Sequence, residues 1–300
     1  MLDSILKKMK TILGIKAPTS LPIVPIQKSP DQMKPKPSRT KIESQITESK
    51  PRTPSQVESV TKEQRNHKKE FLKIFEELAY QHRPLDIWRD FVTMFACAIS
   101  NAVDKTRYDE REALYLHIIK KYNKKEQALF PILVGEMVLA LEKKQEQDFL
   151  GAIYMDLNLG NERTAQFFTP YSVCQMMAAV TLGDVLQEVK EQGYVTINDP
   201  CCGAGANLIA GIHESKKQLE KEGYNYQNHV LIVAQDIDMT VALMCYIQIS
   251  LLGMAGYIKI GNTLTEPMTP GDDLKNYWFT PIYFSEIWAM RSISRGKTLL

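Results

Sequence analysis

Apolar residues recur along this chain with two different periods, and the change of period divides it. At the N-terminus, MLDSILKKMKTILGI sets Leu2, Ile5, Leu6, Met9, Ile12 and Leu13 on one helical face, with Lys7, Lys8 and Lys10 mostly off it. Such a segment suits a membrane surface or a partner, or forms a marginal helix that folds only against something. Farther on, FLKIFEELAY, LDIWRDFVTMFACAISNAV, REALYLHIIKKY and PILVGEMVLALEKK repeat apolar residues at three- and four-residue spacing. They predict four to six helices over residues 63–160, with Pro84 and Pro131 in first-turn positions and the aromatic and Met residues in the core. From about residue 193 the rhythm shortens. YVTIND, HVLIVAQDID and YIKIGNTL read as strands, separated by the helical patterns ANLIAGIHESKKQLEKE and MTVALMCYIQISLLGM.

Strand and helix in alternation predict a parallel sheet of crossover units, an α/β fold preceded by a helical domain. Ligands of such sheets sit at the carboxyl ends of the strands. The stretches DPCCGAG, AQDID and GNTL all fall there. Between the N-terminal segment and the helices, residues 17–60 hold eight of the fifteen prolines among Ser, Thr, Lys and Gln. That composition cannot bury enough apolar surface to offset the entropy of ordering, so residues 17–62 are expected to form a disordered linker. The expected organisation is thus 1–16 amphipathic, 17–62 linker, 63–160 helical and 161–300 α/β.

Charge adds an asymmetry. Residues 1–70 carry 15 Lys and Arg against 7 Asp and Glu, whereas the other 230 carry 22 against 28. A basic tail on an acidic body suits nucleic acid, an anionic membrane, or simply solvation. No apolar run reaches the length of a membrane span, and no leader-like apolar region opens the chain. Five cysteines without a CxxC pair point to reduced thiols, and with them to a cytoplasmic protein without a structural metal.

Two glycines, Gly203 and Gly205, mark the turn after the first strand. A dinucleotide fingerprint would place a third glycine at 208, where Leu208 stands, and the phosphate-loop signature GK[ST] is absent. Asp199 brings negative charge to the turn, which favours a cationic or amine-bearing ligand over a phosphate. Asp236 ends the second strand, where a carboxylate can accept both hydroxyls of a ribose. Asp238 suits the N-cap of the next helix. Asn262, just past the third strand, could meet an adenine edge or cap a turn.

QFFTP at 166–170, followed by DPCCGAGANLIA, AQDID and GNTL in that order, resembles the N6-adenine DNA methyltransferases of type I restriction–modification systems. The resemblance covers about residues 150–265 and implies a Rossmann-like S-adenosylmethionine-dependent methyltransferase core. It implies cofactor contacts from Gln166, Phe167, Phe168, Thr169 and Pro170 toward the methionine part, with Tyr171 beside them. The glycine loop would contribute Asp199, Cys201, Cys202, Gly203 and Gly205; Asp236 would hold the ribose, and Asn262 would stand where the family usually has an Asp facing adenine. The implied partners are DNA and a specificity or other protein subunit.

One motif departs. The family's fourth strand ends in [ND]PP[YF], whose polar residue accepts the amine of a flipped adenine and whose aromatic stacks on it. No such motif occurs in the 300 residues. The nearest echo is Thr280-Pro281-Ile282-Tyr283, with Thr280 and Tyr283 as candidates for amine contact and stacking, against a plainer role packing the sheet's edge. About 100 residues follow Asp199, so the core is expected to be truncated. Three functions stand open: an adenine methyltransferase, a silent relative serving as partner subunit, and a nucleotide-dependent enzyme, the last disfavoured by Leu208 and the acidic loop.

Overall fold

In the computed structural model, residues 66–159 and 168–294 are described, with side chains to Arg291. The N-terminal amphipathic segment, the Pro-rich linker, Gln166 and Phe167 lie outside the described residues. Six helices open the described chain: α1 (His67–Ala79), α2 (Pro84–Val103), α3 (Tyr108–Ile119), α4 (Lys124–Gln127), α5 (Leu129–Lys143) and α6 (Phe149–Asp156). Pro84 begins α2, where its missing N–H costs nothing. Asn123 closes a capping box on α4, and Asp148 caps α6 through the Gly151 amide at 2.9 Å. Two further helices, α7 (Tyr171–Thr181) and α8 (Val185–Gln192), lead into β1 (Val195–Asp199). Then come α9 (Ala206–Glu220), β2 (Val230–Asp236), α10 (Met239–Leu251), β3 (Ala255–Ile260), β4 (Tyr277–Phe279) and α11 (Glu286–Ser294).

The three strands expected from the apolar pattern pair in parallel, in the order β1-β2-β3. Their register sets Asp199 beside Ala234 and Asp236 beside Ile260, so the two carboxylates end neighbouring strands at the same edge of the sheet. Every side chain of α10 from Val241 to Ser250 is buried, as befits a helix between sheet and helical layer. Trp88 on α2 donates its Nε1–H to Met244 Sδ on α10 at 3.4 Å, and Phe71, Phe91 and Phe149 pack edge-on in the same cluster. A single apolar core therefore runs from α1 to Trp278 on β4.

The aromatic segment near the C-terminus forms a strand. Tyr277, Trp278 and Phe279 pair antiparallel with Lys259, Ile258 and Tyr257, all three aromatic residues being buried. Arg111, itself buried, holds this strand to the helices: it donates to Asp104 at 2.9 Å, to Tyr277 O at 2.8 Å and to Ser100 Oγ, and its guanidinium lies 4.0 Å from the Trp278 ring centre. At the other end of β4, the fully buried Thr280 acts as a clamp. Its Oγ1 donates to Met254 O at 2.6 Å and accepts from Gly256 N at 2.9 Å, while its own amide donates to Gly256 O at 2.9 Å.

Replacing Thr280 by Val keeps the shape but leaves the Gly256 amide and the Met254 carbonyl unpaired in the interior. The expected loss is about 2–4 kcal/mol of unfolding free energy, read by urea denaturation. A change under about 0.5 kcal/mol would mean that water replaces the hydroxyl there.

Candidate functional site

Three loops converge at the carboxyl ends of β1, β2 and β3. The first, 199–205, turns on Gly203 (φ 51°) and Gly205 (φ 95°), both in the left-handed region. Gly205 caps the N-terminus of α9, and a Cβ there would sit 2.9 Å from Cys245 Sγ on α10. The absence of a side chain thus lets α9 start directly against α10. Asp199 Oδ1 accepts from Cys201 N at 3.0 Å, a turn-forming bond typical of Asp-Pro-X.

Asp236 anchors the assembly. Its Oδ2 accepts from Gly203 N at 2.8 Å and its Oδ1 from Asp238 N at 2.9 Å. Burial pushes its pKa above the usual carboxylate value; the two amides oppose that shift, and the nearby Asp238 and Asp199 charges add to it. Asp238 caps α10 by accepting from Thr240 N at 2.7 Å, the role its sequence position suggested. Between the two carboxylates, Ile237 is 68% exposed. The motifs of the sequence assign it no role. Its signal is an Ile at a strand end, flanked by Asp on both sides, where solvent would favour a polar residue.

The third loop joins through side chains. Thr263 Oγ1 donates to Pro200 O, bringing the turn after β3 onto the glycine loop. Buried Gln235 donates to Gly261 O at 3.2 Å and Glu266 O at 2.9 Å, bracing that turn from inside. Asn262 Oδ1 caps the same turn, accepting from Leu264 N at 2.9 Å and Thr265 N at 3.4 Å. Of its two expected roles the turn cap is formed, leaving its amide NH2 as the polar group that a ligand could meet.

From the helical side, Phe168 packs on the glycine loop. Its ring would lie 3.3 Å from a Cβ at Gly203 and stacks at a tilt on Tyr154, 5.4 Å between centres. Thr169 and Pro170 follow exposed, with Pro170 as the N-cap of α7. The structure therefore brings Phe168, the 199–205 loop, Asp236 and Asn262 together. Cys201 is exposed on this loop, whereas Cys202 is buried and faces Cys245. Its hydrogen bond with Cys245 and its burial hold that thiol well above the usual range, so it fills space and is no nucleophile. Cys202, expected as a cofactor contact, is thus placed behind the loop, with its backbone N–H bonded to Gln235 O and its carbonyl accepting from Gly205 N.

Thr280 and Tyr283 are not part of this assembly. β4 runs antiparallel to β3, so Thr280 sits at Gly256, four residues and about 13 Å of strand before Ile260. Its hydroxyl is already committed, and the Tyr283 ring packs on Phe279, 4.9 Å away. Of the two roles open to this segment, packing the sheet's edge is the one formed.

The loop's amides also select a ligand class. Cys201 N goes to Asp199, Cys202 N to Gln235 O at 3.0 Å, Gly203 N to Asp236 and Gly205 N to Cys202 O at 2.8 Å. A phosphate cradle needs such amides pointing outward. Here these four are spent inside the protein, and the carboxylates of Asp199 and Asp236 stand at the strand ends beside them. Among the described residues, no group of His, Cys, Asp and Glu could hold a metal, and no helix is long and apolar enough to cross a membrane.

The profile of the N-6 DNA Methylase family matches residues 145–299, starting just before α6 and taking in every later element. The chain belongs to that family. No curated protein matches the chain. Membership gives a DNA methyltransferase-like function, and the matched span holds all three loops and the α6 turn behind them.

The glycine geometry yields a graded test. Gly203→Ala forces an alanine to φ 51° with a tight contact to a ring that can tilt, expected to cost about 1–2 kcal/mol. Gly205→Ala adds the collision with Cys245 and is expected to cost more. Equal losses in urea unfolding would contradict the close approach of α9 and α10.

Proposed function

We propose that this N-6 DNA methylase family member binds S-adenosylmethionine at the three converging loops and transfers its methyl group to the N6 amine of adenine in DNA. The observation that carries the reading is the chemistry of the opening: loop amides turned inward, and carboxylates of Asp199 and Asp236 at the strand ends. The sulfonium and α-ammonium of S-adenosylmethionine are cationic and its ribose offers two hydroxyls, so these residues fit it and suit a pyrophosphate poorly. When bound, the cofactor supplies an electrophilic methyl group. Asp236, whose oxygens keep spare lone pairs beside two amides, accepts the ribose hydroxyls. Exposed Ile237 offers an apolar face to the purine, and the Asn262 amide its edge. Phe168, Thr169 and Pro170, with Gln166 and Phe167, line the methionine end. The Cys201 side chain completes the contacts, and Gly203 and Gly205, lacking side chains, let the ligand approach the loop closely. Proximity to a flipped base would carry much of the rate.

The rest of the reading concerns partners. The basic N-terminal residues supply sequence-independent phosphate contacts, a specificity subunit supplies the target site, and the setting is cytoplasmic restriction–modification. The core is of Rossmann-like type, with the helical layer packed against it. A second reading has one specific observation in its favour. The sequence has no [ND]PP[YF], and Thr280, at the far end of β3 with its hydroxyl bonded to Met254 O, does not replace the amine acceptor. The chain would then be a silent, cofactor-binding partner subunit.

Calorimetry with S-adenosylmethionine, then transfer of labelled methyl to adenine-containing duplex DNA, separates the readings. Binding at micromolar affinity, lost about tenfold or more in Asp236→Ala, is the expected result for a removed charge-assisted contact. No binding by the wild-type protein overturns the proposal. Binding without transfer, with a partner subunit present, selects the silent reading.

The raised pKa of Asp236 gives this site a pH dependence. A cationic, hydroxyl-bearing ligand prefers the carboxylate, so affinity is full above the folded-state pKa and declines as pH falls through it. The decline should therefore begin at a higher pH than an ordinary Asp would give. Binding isotherms across acidic pH check this, with Asp236→Asn expected to flatten the profile.

A further inference from the structure

The glycine loop is also held from its buried side, by one amide that touches three elements. Gln248, fully buried on α10, donates from Nε2 to Ala204 O at 2.9 Å and to Asp148 Oδ1 at 2.8 Å, and accepts at Oε1 from Leu150 N at 3.1 Å. Ala204 lies between the two left-handed glycines, where the backbone has most freedom to move. Asp148 and Leu150 belong to the first turn of α6, in the helical layer. We infer that Gln248 is a positioning residue, locking the Ala204 carbonyl to the first turn of α6 so that the helical layer sets the ligand-binding shape of the loop.

Two observations support a role beyond filling space. An apolar side chain would fill the interior without requiring a buried carboxyl opposite it, and burying Asp148 is costly unless it is fully bonded. The neighbouring sequence also accommodates the arrangement: a Cβ at Gly151 would fall 1.9 Å from Asp148 Oδ2, so glycine there is what lets the carboxyl turn inward. The inference rests on the proposed function and deepens it, since the shape it concerns is that of the proposed cofactor loop.

The test compares Gln248→Met, which keeps volume and removes the amide, with Ile153→Val, which thins the core on α6 without touching the clamp. Two readouts are taken: S-adenosylmethionine affinity, and backbone amide exchange at residues 203–206. Gln248→Met is expected to weaken binding about tenfold or more and to speed exchange at the loop, while Ile153→Val changes neither. If Gln248→Met does not fold, the pair Asp148→Ala and Asp148→Asn takes its place. Asn keeps an oxygen for Gly151 N and Gln248 and should preserve both readouts, whereas Ala should lose them. Affinity and exchange within about twofold of wild type in the clamp variants, or equal losses in Ile153→Val, overturn the inference. Should the wild-type protein bind no S-adenosylmethionine, the proposed function fails, and loop exchange alone still decides whether the clamp exists.

Discussion

Two backbone amides, from Gly203 and Asp238, converge on the carboxylate of Asp236, and the loops around them take their places from that pair of bonds. One bond draws the glycine loop of β1 across to the end of β2. The other turns the chain out of β2 so that Asp238 can cap α10. Through α10 the same point reaches the helical layer, because α10 carries both Met244 against Trp88 and Gln248 against Asp148. A carboxylate with two amide donors is a strong, directional hub, and its partial burial makes each bond worth more than it would be in water.

Much of this was legible in the sequence because it rests on local rules. Three- and four-residue spacing located the main N-terminal helices and the two between the strands, though not α7, α8 or α11; β-branched runs located β1 to β3, and a glycine pair after a strand located the loop. Asp238 read as a helix cap by position alone. The parts that escaped depend on distant partners. Gln248, Gln235 and Lys259 are polar residues inside apolar runs, and only folding shows what satisfies them: Ala204 O and Asp148, the turn after β3, and Asp272 at 2.6 Å. β4 escaped for another reason. Its three aromatic residues are all buried, so no polar alternation marks them as a strand. The Thr-Pro-Ile-Tyr echo could not be decided from sequence because short motifs carry no orientation. An antiparallel strand delivers the same letters to the opposite end of the sheet.

Sheet order bears on chemistry as directly as the residues do. Open parallel sheets bind ligands where strand order reverses, since diverging loops there leave a crevice. Among the described strands the order is β1-β2-β3-β4, with no reversal, and the glycine loop follows an edge strand. One side of the loop is thus walled by β2, β3 and their turns. The side beyond β1 has no described strand, and it is there that a strand carrying an amine acceptor would create the reversal. A well-organised glycine loop and the lack of a described base-binding motif thus coexist in one fold.

The acidic character of the opening has an energetic consequence of its own. Asp199, Asp236 and Asp238 lie close enough for the first and third to raise the pKa of the second, and desolvation raises it further. Without a ligand the site therefore holds negative charge at a cost. A cation arriving there offsets the repulsion and the desolvation cost by direct attraction, whereas an anion would add repulsion. The preference operates before any specific contact forms, and the inward-turned amides reinforce it by withholding the donors that an anion would need. With Gly203 N turned to Asp236 instead of to solvent, the loop withholds that donor from an anion, and the same carboxylate favours a cation.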